Sequence, residues 1–270
     1  YSSDRIEQHY DVQGLLGRVR AWLESNGSQA SELNDGLLRS FDAYRVSERS
    51  SSLDLAETAG LTPGGRVLEL GCGLGSNAAK LVDDFSCRVT GVDCSRQLAG
   101  GAHMLSRLVD PHRSLSFEQA DARALPFEKD SFDAVLSQFV LVNIAEKEQV
   151  ISEAKRVLKP SGVLALEEIV DSEGNVEFPT LWAVSEDLSW ISTSEELIEL
   201  ADDQGFTLVV WEDVSPSIRQ ALESRYEKMP ASLELACSPE DSILRRLQNL
   251  TQNLRQRSFR VVQAVFEAPE

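Results

Sequence analysis

The segment whose residue types and spacing best suit a ligand is Leu68-Glu69-Leu70-Gly71-Cys72-Gly73-Leu74-Gly75-Ser76-Asn77. Its glycines, Gly71, Gly73 and Gly75, follow an apolar run and let the backbone turn close to a bound group. The spacing is G-x-G-x-G, one residue shorter than the dinucleotide fingerprint G-x-G-x-x-G. An acid, Glu69, stands two residues before the first glycine. A carboxylate there disfavours a pyrophosphate and favours a ligand with a cationic end. The glycines taken alone would also serve as a tight turn with no ligand.

Two further acids fall where such a ligand needs them. Asp93 closes Val89-Thr90-Gly91-Val92-Asp93, 22 residues after Gly71. A carboxylate at the end of the second strand accepts hydrogen bonds from both ribose hydroxyls. Its other reading is a helix N-cap, which Ser95 already supplies. Asp121, in Glu118-Gln119-Ala120-Asp121-Ala122, follows the third strand. There its carboxylate can accept from an adenine amino group, or it is an ordinary loop aspartate. A cationic end, a ribose and an adenine together describe S-adenosylmethionine (SAM), which carries an ammonium and a sulfonium.

The elements that must hold these residues alternate. From Pro63-Gly64-Gly65 onward, the pattern predicts strand Val67–Leu70, helix Ser76–Asp84, strand Arg88–Val92 and helix Ser95–Val109. Strands Ser116–Gln119 and Ala134–Ser137, helix Lys147–Leu158 and strand Val163–Glu167 follow. Such alternation demands a mostly parallel sheet with helices on both faces. Residues 1–62 read as a helical cap, and residues 63–270 as the ligand-binding α/β domain. Residues 171–192 form a long connection, and Thr193-Ser194-Glu195-Glu196 spells a capping box. Strand Phe206–Trp211 comes next. Residues 214–257 read as helical, with a start at Ser238-Pro239-Glu240 and an apolar stripe Ile243, Leu247, Leu250 and Leu254. Phe259–Phe266 is a final strand.

Composition narrows the function. The chain has 270 residues and a net charge of −18, a surface that repels nucleic acid. Its densest basic stretch, Arg245, Arg246, Arg255, Arg257 and Arg260, reads as a solvated helix face or as a few contacts to an anionic group. No apolar run approaches a membrane span, and no secretory signal is visible. Cys72, Cys87, Cys94 and Cys237 form no C-x-x-C pair, and the histidines are scattered. The expectation is a soluble cytoplasmic protein without bound metal, with no membrane or nucleic-acid partner.

These motifs, with Ser131-Phe132-Asp133-Ala134-Val135 and Arg156-Val157-Leu158-Lys159-Pro160-Ser161-Gly162, resemble the class I SAM-dependent methyltransferases over about residues 63–170. The resemblance implies a Rossmann-like seven-stranded sheet with its last strand antiparallel, beneath a helical cap. It also implies SAM as cofactor and S-adenosylhomocysteine as product. By it, Gly71, Gly73 and Gly75 line the methionine part, Glu69 helps hold that end, Asp93 binds the ribose, and Asp121 and Ala122 meet the adenine. Cys72, Asn77, Cys94 and Ser137, which flank these positions, complete the expected cofactor contacts. One departure is Ser161, where the family usually has glycine.

A narrower similarity runs to the sarcosine/dimethylglycine N-methyltransferase-like group. It rests on Gln8-His9-Tyr10, Leu15-Leu16-Gly17-Arg18-Val19, Ser137-Gln138-Phe139-Val140-Leu141-Val142-Asn143, Phe178-Pro179-Thr180-Leu181-Trp182-Ala183 and Val261-Val262-Gln263-Ala264-Val265-Phe266. Phe139 stands where that group often has histidine, and Phe41-Asp42-Ala43-Tyr44-Arg45 replaces its Asp-x-Phe-His element. Glycine-derived substrates lose support accordingly. His9 and Tyr10 are the candidate bases, and Gln138 a candidate for orienting the acceptor. Tyr44, Phe139, Asn143, Trp182 and Trp190 are candidates for the acceptor pocket, with 171–192 and 214–257 as its insertions. The function expected is methyl transfer to nitrogen or oxygen of a small molecule by in-line displacement, in a monomer or a homodimer. The alternative is a SAM-binding protein of this fold that transfers no methyl. The glycine spacing and Glu69 argue against a nicotinamide oxidoreductase.

Overall fold

The computed structural model describes residues 49–110, 112–172, 175–227 and 243–270, together with position 17. Helix α1 (Arg49–Thr58) leads into β1 (Arg66–Leu70), α2 (Ser76–Phe85), β2 (Arg88–Asp93), α3 (Arg96–Val109) and β3 (Leu115–Gln119). Strand β4 (Phe132–Gln138), a 3₁₀ turn at Leu141–Asn143, α4 (Lys147–Val157) and β5 (Leu158–Val170) follow. The chain then runs through a 3₁₀ turn at Glu186–Leu188, α5 (Ser194–Asp203), β6 (Thr207–Asp213), α6 (Ser215–Glu227), α7 (Ile243–Gln256) and β7 (Arg260–Glu267).

The strands form one seven-stranded sheet in the order β3-β2-β1-β4-β5-β7-β6. Strands β1 to β5 pair in parallel, and β7 lies antiparallel to both β5 and β6. This is the expected sheet, including its antiparallel last strand. The strand order reverses between β1 and β4. Open sheets of this kind bind ligands at the carboxyl ends of the strands beside such a switch point.

Both faces of the sheet are apolar because helices cover both. On one face, Leu68, Leu70, Val135, Leu164 and Leu166 pack against Val150, Ile151 and Ala154 of α4 and Leu197 and Ala201 of α5. On the other, Val67, Val89, Leu136 and Ala165 pack against Leu55 and Ala56 of α1 and Ala78 and Leu81 of α2. The expected cap thus reaches the core of the sheet through α1. A third cluster joins Ile169 and Val261 to Leu181, Trp182, Ile218 and Leu222, and to the α7 stripe Leu247, Leu250 and Leu254.

Boundaries differ from the expectation where side chains gave no signal. Strand β5 starts at Leu158 rather than Val163, running through Lys159-Pro160-Ser161 with a register shift opposite Phe132. Ser161 there holds φ at 56°, a left-handed conformation that suits glycine. The capping box on α5 forms as read, Thr193 accepting from the Glu196 amide while the Glu196 side chain accepts from the Thr193 amide. The helix start expected at Ser238-Pro239-Glu240 lies outside the described residues.

The basic stretch is not one continuous solvated face. Arg246 is buried and donates to the Thr180 carbonyl at 2.5 Å. Arg255 pairs with Glu223 at 2.9 Å, and Arg260 with Asp171. No helix among the described residues is long and apolar enough to cross a membrane.

Candidate active site

The glycine loop joins β1 to α2 at the switch point. Gly71, Gly73 and Gly75 all take positive φ, at 64°, 56° and 80°. Two of them are also sterically required. A Cβ on Gly75 would stand 2.3 Å from the Phe117 ring, and one on Gly71 would stand 2.5 Å from Val140 Cγ2. Val140 therefore lies directly on the loop. Cys72 is buried within it, its amide donating to the Val92 carbonyl at 2.9 Å.

Asp93 braces this loop from below. One carboxylate oxygen accepts from the Gly73 amide at 3.0 Å and the other from the Ser95 amide at 2.9 Å. Ser95, not Asp93, caps α3, accepting from the Leu98 amide at 3.3 Å. Asp93 is buried at this position. Cys94 is half-buried beside it, and its carbonyl accepts from Gln119 at 3.1 Å.

On the other side of the loop lies a polar network. Asn77 Nδ2 donates both to Glu69 Oε1 at 2.7 Å and to Gln138 Oε1 at 3.0 Å. Gln138 Nε2 donates to Ser52 Oγ of α1 at 3.1 Å. One amide nitrogen thus sits in a cradle of two acceptors, one of them an acid. That geometry suits an N–H donor with positive charge. Asn77 Oδ1 and the buried Ser137 Oγ accept no hydrogen bond among the described residues. A ligand bearing both an ammonium and a carboxylate fits this mixture of acceptor and hydroxyl groups.

Asp121 and Ala122 sit on the loop after β3. Ala122 is buried in the core. The Asp121 carboxylate forks onto Arg123, with contacts between 2.8 and 3.3 Å, and Arg123 also reaches Glu146 at 2.8 Å. Arg156 holds the far end of the same loop by donating to the Phe127 and Leu125 carbonyls at 2.7 and 3.0 Å. The loop is therefore fixed to α4 at both ends.

The expected acceptor-side residues divide. Phe139 follows β4 with φ at 57°, half-buried against the third core cluster. Asn143 is buried, its Nδ2 donating to the Phe139 carbonyl at 3.0 Å, so it closes the turn between them. Trp182 is buried, its Nε1 donating to Ser189 Oγ at 2.9 Å and its ring meeting Phe259 edge-on at 5.5 Å. It is part of the third core cluster. Trp190 is half-buried, and its amide donates to the Val142 carbonyl at 2.8 Å. His9, Tyr10 and Tyr44 lie outside the described residues. His103 and His112 are exposed.

The sequence reading passed over three charged residues buried beneath this site. Glu167 and Glu168, at the carboxyl end of β5, are almost wholly buried, as is Lys147 at the start of α4. Glu167 accepts from Gln263 of β7 at 2.6 Å. Burial raises the Glu168 carboxyl to about 7, against the pull of backbone amides and Lys147. Burial likewise lowers Lys147 to about 8. Two adjacent acids inside an apolar strand of a doubly covered sheet were the available signal. Among the described residues, no group of His, Cys, Asp and Glu is placed to hold a metal ion.

The chain is similar to known proteins in sequence and in fold. Residues 68–166 match a family model described as a methyltransferase domain. Methyltransferase GfsG of Streptomyces halstedii is 32% identical over 171 residues, covering 61% of this chain and 61% of that protein. The [4+2]-cyclase SpnF superposes with a TM-score of 0.64 at 25% identity, over 82% of this chain and 81% of SpnF. Phosphoethanolamine N-methyltransferase 2 of Haemonchus contortus, solved with phosphomonomethylethanolamine and S-adenosylhomocysteine, superposes with a TM-score of 0.72. It is 20% identical, over 90% of this chain and 59% of that one, a likeness of fold. The chain spans 30%, 61% and 36% of the length of three curated relatives that it matches.

Proposed function

We propose that the protein is a SAM-dependent methyltransferase acting on a small molecule. The observation that carries this reading is the two-sided glycine loop. Asp93 accepts from its Gly73 amide, and Asn77 at the start of α2 joins Glu69 and Gln138, with the buried Ser137 at the end of β4; in this reading the first meets the ribose and the second the methionine end. The family match over residues 68–166 and the similarity to a methyltransferase such as GfsG support it. In this reading residues 1–62 are the cap and 63–270 the catalytic domain, with 171–192 and 214–257 on the acceptor side. An acidic chain whose described cysteines are free fits a cytoplasmic enzyme.

Bound SAM would supply an electrophilic methyl already activated by the sulfonium. The residues of this chain then orient donor and acceptor and exclude water. Glu69, Asn77 and Gln138 hold the methionine end. Asp93 takes the ribose, and the Asp121–Ala122 loop lies along the adenine. Phe139 and Trp190 border the acceptor side in this reading, and Tyr44 is a further candidate for it. Gln138 is tied to Ser52 and Asn77, so it positions rather than abstracts a proton. An acceptor that must lose a proton would call on His9 or Tyr10. An amine, which attacks as the neutral base, needs neither, and nitrogen or oxygen is the acceptor atom of this reading.

Two observations favour a second reading, a SAM-binding catalyst that moves no methyl. The cyclase SpnF shares the fold over most of both chains, and position 139 carries phenylalanine. Turnover decides between the readings. Incubation with SAM and panels of amines, phenols and acids should release S-adenosylhomocysteine for at least one class. SAM binding with no product across all three supports the second reading and sinks the first.

A further inference from the structure

The turn after β4 carries the side chain that closes the glycine loop, and it is held from below by a buried charge. Val140 lies against Gly71, so close that a Cβ there would be 2.5 Å from its Cγ2. The turn is conformationally demanding, since Phe139 before it takes φ of 57°. A single oxygen of Glu168 accepts from the amides of Val140 at 2.8 Å and Leu141 at 2.9 Å. Lys147 holds the far end, donating to the Ile144 carbonyl at 2.9 Å. The same ammonium donates to the Trp190 carbonyl at 2.6 Å, so it also clips the long connection to the turn. None of these contacts stabilises a surface feature. Glu168 and Lys147 are both buried, and ionised groups are kept there only against a desolvation cost.

We propose that Glu168 is a positioning residue for the cofactor pocket, assisted by Lys147: its carboxylate fixes the turn at 139–143 so that Val140 closes the glycine loop over the methionine end of SAM. This inference rests on the methyltransferase reading above. It goes beyond it by assigning control of cofactor affinity to a residue that touches no ligand. Hydrogen bonds to an ionised acceptor are roughly twice as strong as neutral ones. The turn is therefore held most firmly when Glu168 is charged.

The charged groups around Glu168 are few. From α4 it faces Lys147, with Glu146 just before that helix. From α5 comes Glu196, whose charge acts on Lys147. From β7 its direct partner is the uncharged Val262, while Arg260 at the strand end pairs with Asp171. From β4 and its turn it meets backbone amides. Burial holds the Glu168 carboxyl at about 7.

The test is SAM affinity, measured by calorimetry at about pH 6 and about pH 8.5 on wild type and Glu168→Gln, either side of the Glu168 titration at about 7. Wild type should bind at least about fivefold more tightly at the higher pH, the lower end of ordinary coupling between sites. Glu168→Gln keeps the shape and loses the charge, so it should bind with the weaker affinity at both values. The SAM ammonium and Lys147, lowered to about 8, titrate in both proteins, so the part of the pH dependence that Glu168→Gln removes is the part that belongs to Glu168. Equal affinities within about twofold at both pH values, with both proteins folded and binding SAM, would overturn the inference. A purely structural role would lower the melting temperature of the variant and leave SAM affinity alone. If Glu168→Gln does not fold, Lys147→Met serves. Loss of the nearby cation should move the midpoint of the wild-type pH profile upward, and an unmoved midpoint overturns the proposal. Failure of wild type to bind SAM at either pH would instead strike down the methyltransferase reading itself.

Discussion

The chemistry of the site rests on a few residues whose contacts leave little room for substitution. Gly75 combines a left-handed backbone with a neighbour, Phe117, that already fills the space of a Cβ. Gly75→Ala should therefore lower stability by about 1–3 kcal/mol, the usual cost of overpacking, with added backbone strain. A urea titration checks this, and an unchanged midpoint would show that Phe117 gives way freely. Asp93 braces the turn, accepting from the Gly73 and Ser95 amides. At this scale the sequence was informative, since the glycines, Glu69 and Asp93 sit in one local run whose order fixes their placement. The partners of Gln138 were not legible. Ser52 lies 86 residues away and Asn77 lies 61 residues away, and only the folded sheet brings them together. Trp182 shows the opposite failure, because an aromatic in a connection reads alike whether it lines a pocket or fills a core.

The elements position these residues through clamps that have no sequence signature. Asn253 of α7 is fully buried and mimics a strand, accepting from the Glu177 amide at 2.8 Å and donating to the Glu177 carbonyl at 3.0 Å. Three residues earlier along the same stripe, Leu250 packs in the core. Asn249 reaches the Pro179 carbonyl at 3.0 Å, and Arg246 the Thr180 carbonyl. One polar edge of α7 thus fastens residues 177–180, which the sequence presented only as part of a long connection. Asn253→Leu should cost roughly 1–3 kcal/mol for each backbone group left unpaired. Amide exchange would locate the loss at residues 177–180; exchange that stays slow there would mean the strap is held by packing instead. The alternation of strands and helices was readable because buried parallel strands are short apolar runs. The start of β5 was not, because Lys159-Pro160-Ser161 carries no such pattern and is set by pairing across the sheet.

For the whole molecule, pH separates the buried carboxyl from the surface ones. Asp171 is lowered despite its partial burial, by Ser194 and Arg260. Asp133 is lowered likewise by Lys159 and the Arg66 amide, and Glu153 chiefly by Arg156. Their stabilisation is present above the ordinary carboxylate range and is lost as pH falls through their lowered values. Glu168 runs the other way. Its folded value, about 7, is above the ordinary 4.5, so the stability it gives is complete below 4.5 and lost as pH rises towards 7. That loss is on the order of 3 kcal/mol at about 1.4 kcal/mol per unit. Glu168→Gln should accordingly gain on wild type in melting temperature between about pH 5 and pH 8, while losing SAM affinity at the upper end. A constant difference in melting temperature across that range would mean that Glu168 does not titrate there. The central claim is that the glycine loop, braced by Asp93 and flanked by the Glu69 cradle, is a SAM site. Its most direct test is a calorimetric titration of wild type and Asp93→Ala with SAM and, as a control, NAD. The account predicts SAM binding by wild type, weakened by about 1–3 kcal/mol in the variant as for a lost charged partner, and no heat with NAD. No SAM binding by the folded wild type would contradict it, leaving the glycine loop a structural turn.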